Sequence, residues 1–218
     1  RSVIFPGFFG NAEITPENVK EQIENNVLQI HALLKAQVKS GTCFENESID
    51  FHCSDLNNSS TEIATKFIAC LPELREILYS DVLAGYNGDP AAKSLSEVIF
   101  CYPGIRAISS YRIANKLLKL GVPIIPRIIT ELAHSETGID IHPGATIGKS
   151  FMIDHGTGVV IGETATIGDN VRMYQGVTLG AKSFPMDDQG NPIKGIVRHP
   201  TIGNNVIIYS NSTILGNI

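Results

Sequence analysis

An aliphatic side chain returns at every sixth residue along much of the chain from position 139 onward. A small residue often follows it, as in Ile147-Gly148 and Leu179-Gly180. The recurring positions are Ile141, Ile147, Ile153, Ile161, Ile167, Met173, Leu179, Ile202, Ile208 and Ile214. In such a hexapeptide repeat, two residues of each six point inward, and three short strands enclose one turn of an apolar prism. This period predicts a left-handed parallel β-helix over residues 139–218.

The predicted β-helix has room for about three coils of roughly 18 residues each, plus one excursion. The sequence stops at Ile218, inside the segment Ile-Leu-Gly-Asn-Ile. An open coil would leave backbone groups unpaired, so we expect the domain to be truncated at this end. The start at Arg1 likewise suggests that the natural beginning is missing.

Residues 1–138 have the spacing of helices. Thr15 followed by Pro16 is typical of a helix start, and apolar residues continue at helical intervals to Gly41. A polar stretch over 42–60 is predicted to be a loop. Further helices are predicted over Thr61–Cys70, Pro72–Ala84, Pro103–Leu120 and Pro126–His134, the last closed by Gly138. The fold class is therefore α + β: an all-α domain over 1–138, then the β-helix over 139–218, interrupted by one long loop.

The composition excludes several classes of protein. The net charge of −5 gives no electrostatic basis for binding nucleic acid or a polybasic membrane surface. No apolar run reaches the roughly 18 residues of a membrane helix, and residues 1–10 lack a signal-peptide pattern. The four cysteines show no CxxC spacing and favour free thiols in a reducing cytosol. A disulfide between Cys43 and Cys53 is the alternative.

The repeat is first interrupted after Ile153, since it resumes at Ile161, two residues late. The inserted residues fall in Asp154-His155-Gly156-Thr157-Gly158. His155 could be a surface residue of a turn. However, Asp140 lies 15 residues earlier, close to one coil, and could stack against it. A carboxylate that binds one ring nitrogen fixes the tautomer and leaves the other nitrogen as a general base.

The second interruption runs from Ala181 to Thr201. A loop of this length in a compact repeat usually serves a function or is disordered. It ends in Arg198-His199-Pro200. Arg198 could clamp a carboxylate in bidentate fashion, or the two basic side chains could simply be solvated.

Several segments in the second half resemble serine O-acetyltransferase. They are Asp-Ile-His-Pro (140–143), Asp-His-Gly-Thr-Gly (154–158), Gly-Glu-Thr-Ala (162–165), Gln-Gly-Val-Thr-Leu-Gly (175–180), Arg-His-Pro (198–200) and Ile-Leu-Gly-Asn-Ile (214–218). The resemblance continues weakly upstream to Tyr111-Arg112-Ile113 and to Asp89-Pro90. Residues 1–75 match only in helical character.

The resemblance implies an acetyltransferase that uses L-serine and acetyl-CoA and gives O-acetylserine for cysteine biosynthesis. It implies that His155 is the general base and that Asp140 orients it. Asp89 and Asp154 would hold the substrate amino group. Arg198, with His199 beside it, would hold the carboxylate.

The same resemblance implies acetyl-CoA as a co-substrate, with no permanently bound cofactor and no metal. Backbone groups near Gly180 and Ala181, and later near Ser210, would line its groove. The loop between Gly180 and Arg198 is longer than the corresponding segment of the family.

The resemblance further implies a cytoplasmic homotrimer with active sites shared between subunits: His155 from one subunit, and Arg198 with His199 from the next. A hexamer of two trimers remains open. L-cysteine is a candidate feedback inhibitor. O-acetylserine sulfhydrylase is a candidate partner through a C-terminal tail that this sequence lacks.

Three other functions are alternatives for this chain. The chain could be another hexapeptide O-acetyltransferase that acts on a sugar or an antibiotic, or a scaffold that binds the next enzyme of the cysteine pathway. A β-helical carbonic anhydrase would need three His ligands on zinc, with one pair spaced His-x4-His. No two histidines of this sequence are five residues apart.

Overall fold

Helices occupy the first half of the chain and short parallel strands the second. The structure is a computed structural model that describes residues 1–10, 13–45 and 56–218. Its helices are α1 (Val19–Glu45), α2 (Asn57–Ala69), α3 (Leu71–Gly88), α4 (Leu95–Cys101), α5 (Pro103–Lys119) and α6 (Ile125–Thr137). Its strands are β1 (Asp140–Ile141), β2 (Thr146–Ile147), β3 (Met152–Ile153), β4 (Val160–Ile161), β5 (Thr166–Ile167), β6 (Arg172–Met173), β7 (Thr178–Gly180), β8 (Thr201–Ile202), β9 (Ile207–Ile208) and β10 (Thr213–Leu215). The predicted order of helices followed by parallel strands is confirmed.

Two helices continue past the glycine at or before which the sequence predicts their end. Helix α1 passes through Gly41 to Glu45, so the predicted end at Gly41 is wrong. Helix α3 runs on to Gly88 rather than ending at Ala84. Gly138 does end α6, in the left-handed conformation with φ 70°, which a glycine adopts without steric cost.

Helix α4 was not predicted, although its sequence carries a start signal. Ser94 caps it, since the backbone N–H of Glu97 donates to Ser94 Oγ at 3.1 Å. The Glu97 side chain in turn accepts from the backbone N–H of Lys93 at 2.8 Å. This Ser-x-x-Glu pattern is typical of a helix start.

The expectation of four free thiols is wrong. Cys70 and Cys101 are free thiols, but Cys43 is disulfide-bonded. Cys53 and most of the predicted polar loop lie outside the described residues.

The ten strands form three parallel sheets in which each strand pairs with the one three places further along. The sheet orders are β1-β4-β7-β10, β2-β5-β8 and β3-β6-β9. Nine of the ten recurring aliphatic side chains are buried inside this prism, and Ile214 is partly buried. The period of six therefore arises because one residue per short strand enters a shared core.

The spacing between paired strands shows where the repeat is interrupted. Val160 pairs with Thr178, 18 residues later, which is one regular coil. Asp140 pairs with Val160 after 20 residues, because two extra residues lie in the turn between β3 and β4. Thr178 pairs with Thr213 after 35 residues, because residues 181–200 leave the coil between β7 and β8. Within that segment, Met186 and Pro192 form an isolated antiparallel bridge.

A buried ion pair fastens the helices to the first coil. Arg112 of α5 donates to both carboxylate oxygens of Asp81 on α3, at 2.6 and 2.9 Å. Arg112 also donates to the backbone oxygens of Ile147 and Gly148, and Asp81 accepts from the N–H of Phe151. Helices α3, α4 and α5 therefore share a hydrophobic core with the strands, whereas α1 and α2 pack in a second core around Val38 and Phe67. None of the helices within the described ranges is long and apolar enough to cross a membrane.

Candidate active site

The predicted site residues fall mainly on two corners of the β-prism. The turn of residues 154–159, which joins β3 to β4, is called the histidine corner. Residues 162–165, which follow β4, and residues 198–200, which precede β8, form the arginine corner. The two corners lie at opposite ends of β4, so His155 is separated from Arg198 within one chain.

The backbone of the histidine corner projects the His155 side chain into solvent. Asp154 continues the ladder, since its N–H donates to the backbone oxygen of Met173 at 2.9 Å. His155 then has a φ of 55°, which is unusual for a residue other than glycine. Gly156 follows at φ 90°, where a Cβ would lie 2.4 Å from Ile139 Cδ1. The turn is therefore tight below His155, whose side chain is 72% exposed.

Asp89 reaches the histidine corner from the end of α3. Its Oδ1 accepts from the backbone N–H of Ala91 at 2.8 Å, and its Oδ2 accepts from the Tyr102 hydroxyl at 2.5 Å. The Tyr102 bond, then the Ala91 bond and the nearby charge of His155 hold the pKa of Asp89 below its usual range. Asp154 Oδ1 lies 3.8 Å from His155 Nε2. Two carboxylates and one exposed imidazole therefore share the histidine corner.

The arginine corner is held by the coil below it. Arg198 Nη2 donates to Glu163 Oε2 at 2.6 Å, and the backbone N–H of Arg198 donates to Thr164 Oγ1 at 2.9 Å. His199 Nδ1 accepts from the Thr164 N–H at 3.1 Å and lies 2.8 Å from Thr164 Oγ1. Its ring packs on Gly162, where a Cβ would lie 2.1 Å from Nε2.

Burial and charge fix the protonation of this corner. Burial, followed by the charge of Arg198, lowers the pKa of His199, so its imidazole is neutral near pH 7. Because Nδ1 accepts a hydrogen bond, the ring proton of this neutral form lies on Nε2. The hydrogen bond from Arg198 lowers the pKa of Glu163. The corner thus presents a fixed guanidinium, which suits recognition of a carboxylate.

The predicted contact between Asp140 and His155 is not among the hydrogen bonds of the described residues. Asp140 is half-buried and pairs with Val160 in the sheet. Its backbone N–H donates to Val159 at the far end of the histidine corner. The orienting role of Asp140 therefore stays a prediction.

The three residues predicted to line the co-substrate groove lie at two places. Gly180 ends β7, and its carbonyl accepts from Gly216 N–H at 3.0 Å. Half-buried Ala181 follows it, above the arginine corner. Ser210 is exposed in the turn after β9, which stacks two coils above the histidine corner. Within one chain, Gly180 and Ala181 therefore lie at one end of the strands of the β1-β4-β7-β10 sheet, and Ser210 lies at the other end.

The structure adds three polar residues that the sequence analysis did not assign to the site: Tyr102, Glu163 and Thr164. Glu163 and Thr164 stand in the Gly-Glu-Thr-Ala segment, so the resemblance offered a signal for them. Tyr102 is 13 residues from Asp89, and only the turn between α4 and α5 brings them together. Across residues 1–10, 13–45 and 56–218, no three His, Cys, Asp or Glu side chains are grouped to hold a metal ion.

Comparison with known sequences finds serine acetyltransferases. The chain is 50% identical over 221 residues to the plasmid serine acetyltransferase of Synechococcus elongatus, covering all of this chain and 69% of that protein. It is 47% identical over 141 residues to the serine acetyltransferase of a Synechocystis species, covering 65% of this chain and 53% of that protein. No family model matches the chain.

Comparison with solved structures finds the same enzymes. Serine acetyltransferase 1 of Entamoeba histolytica, in complex with L-cysteine, matches 99% of this chain and 74% of its own with a TM-score of 0.81 and 39% identity. The Neisseria gonorrhoeae serine acetyltransferase in complex with serine matches 93% of this chain and 77% of its own, with a TM-score of 0.62 and 29% identity.

Proposed function

The chain belongs to the serine acetyltransferase family, and we propose that it transfers the acetyl group of acetyl-CoA to the hydroxyl of L-serine. One observation carries this proposal: Asp154 lies 3.8 Å from the exposed imidazole of His155, and Asp89 is near enough for its charge to interact with that ring. Two carboxylates suit the ammonium of an amino acid, and the imidazole suits the proton of its hydroxyl. The products are O-acetylserine and CoA.

The proposed reaction is a direct acyl transfer. His155 takes the proton of the serine hydroxyl as its oxygen attacks the thioester carbonyl. The new C–O bond forms, the C–S bond of the tetrahedral intermediate breaks, and the proton passes to the leaving thiolate. A thioester is already activated, so positioning both substrates supplies much of the rate. Asp140, one coil below, orients the imidazole in this proposal.

The arginine corner supplies the carboxylate site of L-serine. Arg198 is held by Glu163 through a single nitrogen, Nη2, at 2.6 Å. Its Nη1 donates to the backbone oxygen of Ile196, at 3.3 Å. Neutral His199 carries its proton on Nε2 and is a second donor beside it. Both donors are in place before a substrate arrives, which favours recognition of a fixed carboxylate.

The separation of the two corners supports an active site shared between subunits. One serine molecule is too short to bridge the two ends of a β-prism face. We therefore infer a trimer of left-handed β-helices in which His155 of one subunit faces Arg198 and His199 of the next. A light-scattering mass of three chains, or of six for two paired trimers, is the expected result. A monomeric mass in an active preparation would contradict the shared site.

The excursion between β7 and β8 borders the arginine corner. Residues Phe184, Ile193 and Lys194 of this loop enclose a cavity of about 430 Å³ with Glu163 and Arg198. We propose that acetyl-CoA runs along this loop, past Gly180 and Ala181, and along Ser210 of the neighbouring subunit. The neighbour's Ser210 is needed because, within one chain, that residue stands at the opposite end of the sheet.

L-cysteine is proposed as an inhibitor that competes with L-serine. Two of the Entamoeba histolytica relatives were solved with cysteine bound. Cysteine carries the same ammonium and carboxylate as serine, so both corners would recognise it. A rise in the apparent KM for L-serine on addition of L-cysteine, at constant kcat, is expected. Binding to O-acetylserine sulfhydrylase stays a prediction.

The decisive experiment measures thiol release from acetyl-CoA with and without L-serine. The proposal expects release that depends on L-serine and exceeds release with a galactoside or chloramphenicol as acceptor. A preference for one of those acceptors would favour another hexapeptide O-acetyltransferase. An absence of acceptor-dependent release would favour a binding scaffold.

A mixing experiment tests the shared site directly. At an L-serine concentration well below the raised KM of Arg198→Ala, His155→Ala and Arg198→Ala subunits are each expected to be nearly inactive alone. After co-refolding at equal amounts, random head-to-tail pairing should restore about a quarter of the wild-type sites, since one site in four combines both intact corners. If no activity returns, both corners belong to the same subunit or do not form one site.

A further inference from the structure

Tyr102 lies against the histidine corner, yet the proposed reaction gives it no part. Its hydroxyl donates to Asp89 Oδ2 at 2.5 Å. That bond, followed by burial and the charges of Asp89, Glu97 and Asp154, raises the pKa of Tyr102. The phenol therefore keeps its proton near neutral pH, and the hydrogen bond runs from tyrosine to carboxylate.

The backbone around Tyr102 places this hydroxyl with little freedom. Tyr102 ends α4, where its N–H donates to the oxygen of Val98 at 3.3 Å, and Pro103 begins α5 directly after it. Gly104 touches the last residue before the histidine corner, since a Cβ there would lie 2.3 Å from the carbonyl oxygen of Ile153. The junction of two helices is therefore docked on the strand that leads into Asp154.

The carboxylate of Asp89 is fixed by one donor on each oxygen. Ala91 N–H binds Oδ1, and the Tyr102 hydroxyl binds Oδ2. A carboxylate has about four lone-pair positions, so positions on both oxygens remain for a cation. Without the hydroxyl, Asp89 would be held on one oxygen only and would be free to turn about its side-chain bonds.

We infer that Tyr102 is a positioning residue, whose hydroxyl orients Asp89 to receive the ammonium group of the acceptor amino acid. The inference rests on the proposed function, because it needs an acceptor that carries an ammonium group. Tyr102 acts through Asp89 and does not take part in proton transfer from the hydroxyl. Its loss should therefore weaken acceptor binding and leave the chemical step intact.

Tyr102→Phe removes only the hydroxyl and tests this role. A hydrogen bond to a charged group contributes enough that its loss should raise the KM for L-serine about tenfold. The kcat at saturating L-serine and the KM for acetyl-CoA should stay within about twofold, because neither depends on Asp89. Tyr79→Phe is the matched control, because Tyr79 is an exposed tyrosine of α3 and its variant should match the wild type.

Two further measurements separate positioning from a general structural effect. The Ki of 3-hydroxypropionate, which is serine without its ammonium group, should not change in Tyr102→Phe. On an Asp89→Asn background, adding Tyr102→Phe should change the KM for L-serine by less than about twofold, since a residue that acts through Asp89 has nothing left to orient.

The outcomes distinguish this inference from the proposed function. If the wild type shows no release of CoA that depends on L-serine, the proposed function fails and takes this inference with it. If the wild type is active, three results would each overturn the role of Tyr102 alone. They are an unchanged KM for L-serine, a parallel rise for both substrates, and full additivity with Asp89→Asn.

Discussion

The two corners of the site differ in how firmly their own chain holds them. At the histidine corner, the His155 side chain is 72% exposed, and its nearest charged partner in the chain, Asp154, is 3.8 Å away. At the arginine corner, His199 is 6% exposed. Its ring and the backbone of Arg198 are bonded to Thr164, and the guanidinium is bonded to Glu163.

This difference matches what each corner is proposed to do. A general base accepts and releases a proton during every turnover, so its imidazole must be accessible to the substrate. A group that recognises an unchanging carboxylate gains from being fixed in advance, because less freedom is lost on binding. The comparison therefore predicts that loss of the exposed base His155 lowers kcat, whereas loss of a group that recognises the substrate, such as those of the arginine corner, raises the KM for L-serine.

The largest effect is expected for His155→Ala. Loss of a general base lowers kcat by roughly 10²- to 10⁴-fold. Binding of CoA, measured by calorimetry, should be unchanged, because the exposed ring supports no other part of the fold. The folded state should keep its melting temperature for the same reason. A kcat within a few fold of the wild type would show that His155 is not the base. The proposed division of roles between the two corners would then be wrong.

The second-largest effect is an expected loss of stability at the buried ion pair that docks α3, the helix before Asp89. Arg112 of α5 pairs there with Asp81 of α3. Arg112→Met would leave the Asp81 carboxylate buried without its partner, which typically costs about 3–5 kcal/mol in the free energy of unfolding. Urea unfolding measures this loss.

A matched control for Arg112→Met lies on the same helix. Arg106 of α5 pairs with Glu136, and both side chains are partly exposed, at 36% and 49%. Arg106→Met should therefore cost about 0–1 kcal/mol. Similar losses in the two variants would show that burial of Arg112 does not set its contribution. They would also show that the helices do not depend on this pair for docking.

The sequence predicts the fold well where one short period controls it. An inward aliphatic residue every six positions requires short strands around a common core, and a departure of two residues locates the histidine corner. Helix ends are harder to predict, because a glycine stops a helix only where the chain turns away. Gly138 adopts φ 70° and ends α6, whereas Gly41 continues α1, with its Cα facing the side chain of Ile125.

The sequence predicts the site residues better than their contacts. Motifs point to Arg198 and His199, but their partners Glu163 and Thr164 are 34 or 35 residues away, one coil plus the excursion. Contacts between residues so far apart in the sequence leave no local sequence pattern from which they could be predicted. The contact between Tyr102 and Asp89 depends on α4, a short helix that the spacing of apolar residues does not predict. The stacking of Asp140 on His155 stays a prediction.

The third prediction tests the preorganised arginine corner through Thr164→Val. The hydroxyl of Thr164 accepts from the Arg198 N–H and lies 2.8 Å from His199 Nδ1. Its loss should loosen both substrate-binding side chains and raise the KM for L-serine about three- to tenfold. The kcat should change little. Thr164→Ser keeps the hydroxyl and should resemble the wild type. Equal behaviour of the Val and Ser variants would mean that the hydroxyl does not organise this corner.

The smallest expected effect is a loss of stability in mild acid. Burial lowers the pKa of His199, with Arg198 acting in the same direction and Glu163 opposing it. Burial, aided by Arg127, also lowers the pKa of His142. The unfolded chain therefore binds more protons than the folded one below the ordinary histidine pKa of about 6.5. Stability should be full above that pH and should fall as the pH decreases towards the lowered values.

Urea unfolding of the wild type and of His199→Asn at pH 7.5 and 5.5 measures this effect. The wild type should lose at most about 1.4 kcal/mol per histidine between the two pH values, and the variant should lose less. Protonation of His199 would place a cation beside Arg198 and break its acceptor bond from Thr164, so the arginine corner should be the part that responds. An equal loss of stability in the variant would show that groups other than His199 cause the acid sensitivity. The rigidity of the arginine corner would then depend on Arg198 and Glu163 and not on the protonation state of His199.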